Sequence, residues 1–346
     1  TGDSALTESW NGTSWTEVAD LNSERRTLGG AGASNTAALA MGGWDYPTIY
    51  AITESWNGSA WTEVADLNNA RVKTQNSGTG TSTSALYAGG ADGGSYTTVQ
   101  AYTEQWNGSS WTEVGDLNTA RFGLAVTGAD NEACLAFGGY SPPGYKAINE
   151  SWNGSSWTEA GDLNTARVYL ASLGTSSTAA IAAAGAVPGN HSALVEQWNG
   201  SAWTEIADVN TSAEARSGSG SYTEGIVFGG DTPPGKKANT EHWDGSTWTE
   251  VADLNAARSS AGNAGPSTSA LCIGGANPPS APRLSATEVW NGSSWTEEGD
   301  LNTARTTGGI GNTTNALAVA GNTPPYTGVV EEWSPTTPST VTFTAS

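Results

Sequence analysis

A hexapeptide of the form Trp-Asn-Gly-Ser-x-Trp, with Thr13 for Ser in the first copy and Asp244 for Asn in the sixth, returns seven times, and nothing else in the sequence restricts the fold as strongly. Its first tryptophan stands at positions 10, 56, 106, 152, 198, 243 and 290, 45 to 50 residues apart, and its second at 15, 61, 111, 157, 203, 248 and 295. These fourteen, with Trp44 and Trp333, are all sixteen tryptophans of the chain. A period of this length marks supersecondary units that cannot bury their apolar faces alone and must pack on their neighbours. It also removes the two-domain reading that 346 residues would invite.

Within a repeat the Asn-Gly pair separates two short runs of period-two patterning, which predicts a hairpin closed by a tight type I′ turn. In the third copy it joins a strand c, residues 101–106, to a strand d, residues 110–117. An Asp-Leu-Asn-x-Ala-Arg segment follows, then a small-residue strand a (122–128), a polar turn and an apolar strand b (133–139). Strand b closes on Gly-Gly in five copies, with Gly43, Gly90 and Gly139 as the second member, and on Ala-Gly at 184–185 and 320–321. Glycine there allows positive φ or a close backbone approach.

Four strands per repeat predict an all-β chain: a seven-bladed β-propeller of antiparallel four-stranded blades, spanning residues 1–333 and followed by a tail or linker at 334–346. Blades begin near Arg26, Arg71, Arg121, Arg167, Arg216, Arg258 and Arg305, and tryptophans such as Trp10, Trp15, Trp56, Trp61, Trp106 and Trp111 supply the core. The N-terminal c–d hairpin (4–21) lacks an a and b, while the last a and b (305–321) lack a d. Joining them closes the ring and removes exposed strand edges. A spare c-like segment, Val329 to Trp333, competes with residues 5–10 for the same slot. Cys134 and Cys272 fall in strand b of the third and sixth blades, too far apart for a disulfide.

An arginine before strand a, a diglycine after strand b, an aromatic residue in strand c and a tryptophan in strand d together resemble the kelch repeat, from about residue 4 to 333. The chain departs from that pattern in carrying Trp where strand c commonly has Tyr. Units as uniform as Trp-Asn-Gly-Ser-Ser-Trp-Thr-Glu are similar to those of kelch-like propellers encoded by marine bacteriophages, found among virion and tail-fibre-associated proteins. The resemblance implies a virion or extracellular location.

Thirty-four acidic against thirteen basic residues give a formal charge of −21, which repels phosphate backbones and anionic bilayers. No nucleic-acid partner is expected. No run approaches the ~20 apolar residues of a membrane span, so no insertion is expected either. A start at Thr1 without a signal-like region implies a processed form or an excerpt of a longer protein.

The acidity is itself periodic, with one Glu in each strand c, one in each strand d and one Asp after it. These predict a structural Arg–carboxylate pair per blade and solvated faces rather than a ring of metal or catalytic sites. No catalytic residue and no metal site is assigned; a single structural Ca²⁺ on Asp and Asn oxygens is the one cofactor left open. Asn-Gly-Ser/Thr fits a glycan acceptor, but Asp244 in the sixth copy keeps the turn and loses the acceptor, so the turn explains the motif better. The two histidines, His191 and His242, sit in no arrangement that would support a copper oxidase or a Ser-His-Asp triad. The hairpin also resembles the Asp-box of sialidases, without its Asp-x-Gly spacing.

What differs from repeat to repeat is the loop between strands b and c. Trp44, Tyr46, Tyr96, Tyr140, Tyr145 and Tyr326 lie in these loops, as do Lys146, Lys236, Lys237 and Arg283. Aromatic and cationic side chains on loops of a rigid scaffold are suited to binding. The expected function is a non-enzymatic structural or adhesive module of a virion or extracellular assembly. Its partners would be a host-surface glycan or neighbouring structural subunits in an oligomeric assembly. A secreted carbohydrate-active enzyme and a kelch-type intracellular interaction scaffold are the alternatives.

Overall fold

The computed structural model describes residues 3–72, 78–92, 98–277 and 283–323, and their regular elements are all β-strands. Seven four-stranded antiparallel sheets form a ring as a seven-bladed β-propeller. Blade 3 is representative, with strands a (Ala125–Gly128), b (Cys134–Phe137), c (Asn149–Trp152) and d (Trp157–Glu159) in that order. Strand d is only three residues long because a side chain takes over its role: Asp162 Oδ1 accepts the Asn149 N–H at 3.1 Å.

The seventh blade closes the ring as anticipated. Strands Asp3–Trp10 and Trp15–Glu17 pair onto Asn315–Asn322 and Thr306–Asn312, with Thr7 opposite Val319 and Trp10 opposite Ala316. Residues 3–10 therefore fill the slot for which Val329 to Trp333 competes. That segment, the tail 334–346, Tyr96 and Tyr326 lie outside the described residues.

The two tryptophans of each hairpin face one another across strands c and d, ring centroids 5.3–5.6 Å apart. Both are buried, each removing roughly 150–250 Å² from water. The second also ties its blade to the one before: Trp157 Nε1 donates to Thr103 Oγ1 at 2.9 Å, and Trp61, Trp111, Trp295 and Trp15 do likewise with Thr7, Thr53, Thr240 and Thr287. Where Asn149 and Val195 stand in place of that threonine, the indole N–H groups of Trp203 and Trp248 find no acceptor among the described residues.

The hairpin loop corrects the expectation of a type I′ turn. Trp10 pairs with Trp15, leaving a four-residue loop in which Asn11 Oδ1 accepts the N–H groups of Thr13 and Ser14, both at 3.0 Å. Only Gly12 takes positive φ. The side-chain oxygen does what a second left-handed residue would do in the tighter turn. Asp244 offers the same oxygen, and the Thr247 and Ser246 N–H groups, with the Ser246 hydroxyl, hold its carboxyl well below the usual range.

Each blade contains one buried Arg–Glu pair. Arg121 reaches Glu150 at 2.8 Å, both side chains fully buried, and donates to the carbonyls of Gly138, Ile148 and Ala136. The other Glu150 oxygen accepts the backbone and side-chain N–H groups of Asn118. The glutamate of strand c thereby anchors the link arriving from the previous blade, and its charge is met by the guanidinium. Arg121 Nε alone of that guanidinium finds no acceptor among the described residues. Equivalent pairs are Arg71–Glu104, Arg167–Glu196, Arg258–Glu288 and Arg305–Glu8.

Two blades depart from the expected positions. In blade 1 the buried partner of Glu54 is Arg25, not Arg26, because the register places Arg26 one residue further along the chain, bridged to Trp44. In blade 5 the backbone position of the arginine is held by Ala213, whose carbonyl accepts the Gly185 N–H as Arg167 O accepts that of Gly139. Arg216, three residues later, swings its guanidinium back to Glu241 at 2.9 Å.

Candidate functional site

The glycine that ends strand b determines where the variable side chains go. Gly43, Gly90 and Gly139 have φ of 104°, 118° and 103°, and a Cβ on them would lie within 2.9 Å of the carbonyl oxygens of Arg26, Val72 and Phe122. Only glycine allows that approach, and it aligns the next residue with the one that follows the buried arginine. The result is one short bridge per blade at one end of the ring: Arg26–Trp44, Val72–Ala91, Phe122–Tyr140, Val168–Ala186, Glu214–Asp231, Ser259–Ala276 and Thr306–Asn322.

These seven pairs divide the mouth of the propeller into two arcs. Blades 2 to 4 carry apolar pairs, and Val72, Ala91 and Phe122 are buried in a cluster joined by Val99, Tyr140 and Tyr169 and, from blade 1, by Trp44 and Ile49. Phe122 packs against Tyr140 at 5.4 Å and Tyr169 at 6.3 Å. Blades 5, 6, 7 and 1 carry polar pairs, and against them opens a cavity of about 770 Å³. That volume lies within the range of small-molecule sites.

The cavity wall is held by two networks. Arg26 lies over the Trp44 ring at 4.6 Å and pairs with Asp3 at 3.4 Å; Asn322 donates to Asp3 and accepts from Arg283 at 3.1 Å, linking blades 6, 7 and 1. Burial raises the Asp3 pKa above its ordinary value, and nearby Asp45 raises it further, against the pull of Arg26 and Asn322. On the opposite wall Lys236 pairs with Asp231, and His191 Nε2 lies 3.8 Å from Glu214. Among the described residues no cluster of three or more His, Cys, Asp or Glu is placed to hold a metal ion. Burial pushes the thiols of Cys134 and Cys272 up to about 12, as suits core residues.

Of the loop residues expected to bind, Trp44, Lys236 and Arg283 line the cavity. Tyr46 stands beside it at the tip of a short hairpin, Trp44–Asp45 paired with Thr48–Ile49. Tyr140 packs in the apolar arc, with Tyr145 edge-on to it at 5.7 Å. Lys146 and Lys237 do not line the cavity; their carbonyls accept the N–H groups of Arg167 and Arg258. Arg26, Glu214, Asp231, Asn263 and Asn322 line the cavity too, although none of them is among the residues expected to bind. Aligning the repeats on the glycine that ends strand b would have found Asp231 and Asn322, which follow Gly230 and Gly321, and Arg26 follows the buried Arg25; Glu214 follows Ala213, where the repeat has lost its arginine.

Fold and mouth together define a seven-bladed β-propeller with a polar cavity at the b–c end of its ring. No protein-family model matches the chain, and no curated protein matches it in sequence. Among solved structures it is similar to one titled "Structure of YjhT", with a TM-score of 0.60 and 13% identity over 81% of this chain and 99% of that one. At that identity the likeness is one of fold alone.

Proposed function

We propose that the protein is a non-enzymatic adhesive or structural module of a virion or other extracellular assembly, holding a glycan or a neighbouring subunit at the mouth of its ring. One observation carries this reading: the unrepeated polar bridge pairs of four blades converge on a single cavity, while the repeated residues are absorbed by blade construction. The resemblance of the repeat to kelch-like phage propellers supports the location. The test is a glycan array probed with wild type and with a Trp44→Ala/Lys236→Ala/Arg283→Ala variant. Binding by wild type that the triple variant loses is expected; equal binding by both would refute a mouth site.

A carbohydrate-active enzyme is the second reading, favoured by Glu214 and Asp231, which face each other across a bridge and both line the cavity. Each already has a basic neighbour, His191 and Lys236, which argues against a free acid–base pair. Turnover of aryl glycosides that is abolished by Glu214→Gln would establish it.

A further inference from the structure

Among the described residues four blades carry the same six-residue hairpin between strands b and c, differing mainly in side chains. Its two-residue tip is Pro142-Pro143 in blade 3, Pro188-Gly189 in blade 4 and Pro233-Pro234 in blade 5, but Tyr46-Pro47 in blade 1. Blade 1 alone among them has an aromatic ring at the tip; Tyr140 and Tyr145 of blade 3 stand at the base of theirs. Tyr46 is 72% exposed and is the only large hydrophobic side chain exposed among the described residues.

The ring rests against a neighbour that is itself held in place. Trp44 meets it edge-on at 6.0 Å, Arg26 stacks on Trp44 at 4.6 Å, and the backbones of Arg26 and Trp44 exchange hydrogen bonds of 3.0 and 3.1 Å. Because Trp44 also lines the cavity, Tyr46 stands one ring outside its rim. An exposed aromatic side chain gains little from water, and a tyrosine has only two side-chain torsions to fix when it binds.

Its surroundings select the occupant. A stable protein interface needs about 800 Å² per partner around an aromatic and aliphatic centre, and a single tyrosine beside a polar cavity does not supply one. A pyranose ring presents an apolar C–H face, which packs on one aromatic ring, and hydroxyl groups, which suit a wall such as Asn263, Ser260, Asp231 and Lys236. We infer that Tyr46 is the stacking platform for a second sugar unit, so that the mouth takes an oligosaccharide with one unit in the cavity and the next lying across blade 1. The inference rests on the proposed glycan reading and deepens it.

The probes are mono-, di- and trisaccharides of N-acetylglucosamine, galactose and mannose, first arrayed and then titrated by calorimetry against wild type, Tyr46→Ala and Tyr46→Phe. Wild type should bind the di- and trisaccharides of its preferred sugar about tenfold more tightly than the monosaccharide. Tyr46→Ala should erase that preference and leave monosaccharide binding unchanged, and Tyr46→Phe should retain it. Thermal melts of both variants matching wild type confirm folding, as expected for so exposed a side chain. A length preference that survives in Tyr46→Ala, or wild type binding all lengths equally, overturns the platform and leaves a mouth site standing. Wild type binding no sugar at all overturns the platform and the glycan reading together.

Discussion

Arg25 and Arg26 are neighbours in the chain, yet the first belongs to a ring of seven equal ties and the second to a ring of seven different pairs. The difference is one of direction. Successive residues of an extended segment point to opposite sides, so one side chain enters the blade and meets Glu54, while the next turns toward the mouth and meets Trp44. The inward side faces the same environment in every blade and carries arginine in six of them; in blade 5 it carries Ala213, and Arg216 reaches back to supply the same guanidinium. The outward side faces the mouth, where the surroundings differ from blade to blade, and carries Arg, Val, Phe, Val, Glu, Ser and Thr in turn.

The contrast breaks first at the ties. Arg121→Leu leaves Glu150 buried without its cation and is expected to cost about 3–5 kcal/mol, read by urea denaturation. A loss below 1 kcal/mol would mean that the Asn118 bonds alone hold the glutamate. Blade 5 sharpens the same point: Arg216→Ser should cost a similar amount, and adding Ala213→Arg should restore most of it, because position 213 has the backbone that carries arginine elsewhere. No recovery in the double variant would show that blade 5 has diverged in backbone as well as in sequence.

A smaller effect is expected between blades. Val195→Thr supplies Trp248 Nε1 with the acceptor that its counterparts have and should stabilise the protein by about 1 kcal/mol. A neutral or destabilising result would show that the indole is already satisfied by water.

The mouth should respond least, and to pH. Asp3 has a raised pKa, so the folded chain holds this proton more tightly than the unfolded one. Its contribution is full below the ordinary value of 3.8 and is lost as the pH climbs through the folded value. Asp3→Asn escapes that loss: its stability relative to wild type should rise between pH 3.8 and 7, and a difference that does not change with pH would contradict the assignment.

Much of this was legible in the sequence because a repeat multiplies its own signal. The blade count, the core tryptophans, the closing hairpin and the Arg–Glu pairing all follow from residues that recur. The candidate site was legible only in part. Trp44, Lys236 and Arg283 stood out as unrepeated loop residues, whereas Arg26 was hidden by an adjacent arginine in the same segment, and Glu214 and Asp231 by the general acidity of the chain. Tyr140 drew notice as a loop aromatic, but its place is in the packing of Phe122.

The amino-acid sequence alone determined the architecture, since hydrophobic period, turn chemistry and glycine placement act locally and were repeated often enough to be read. Tertiary structure alone decided which of two adjacent arginines enters the core, that Arg216 reaches back to stand in for residue 213, and which loop side chains share a cavity. Those outcomes depend on register between strands and on the meeting of blades remote in sequence, where a shift of one residue exchanges inside for outside.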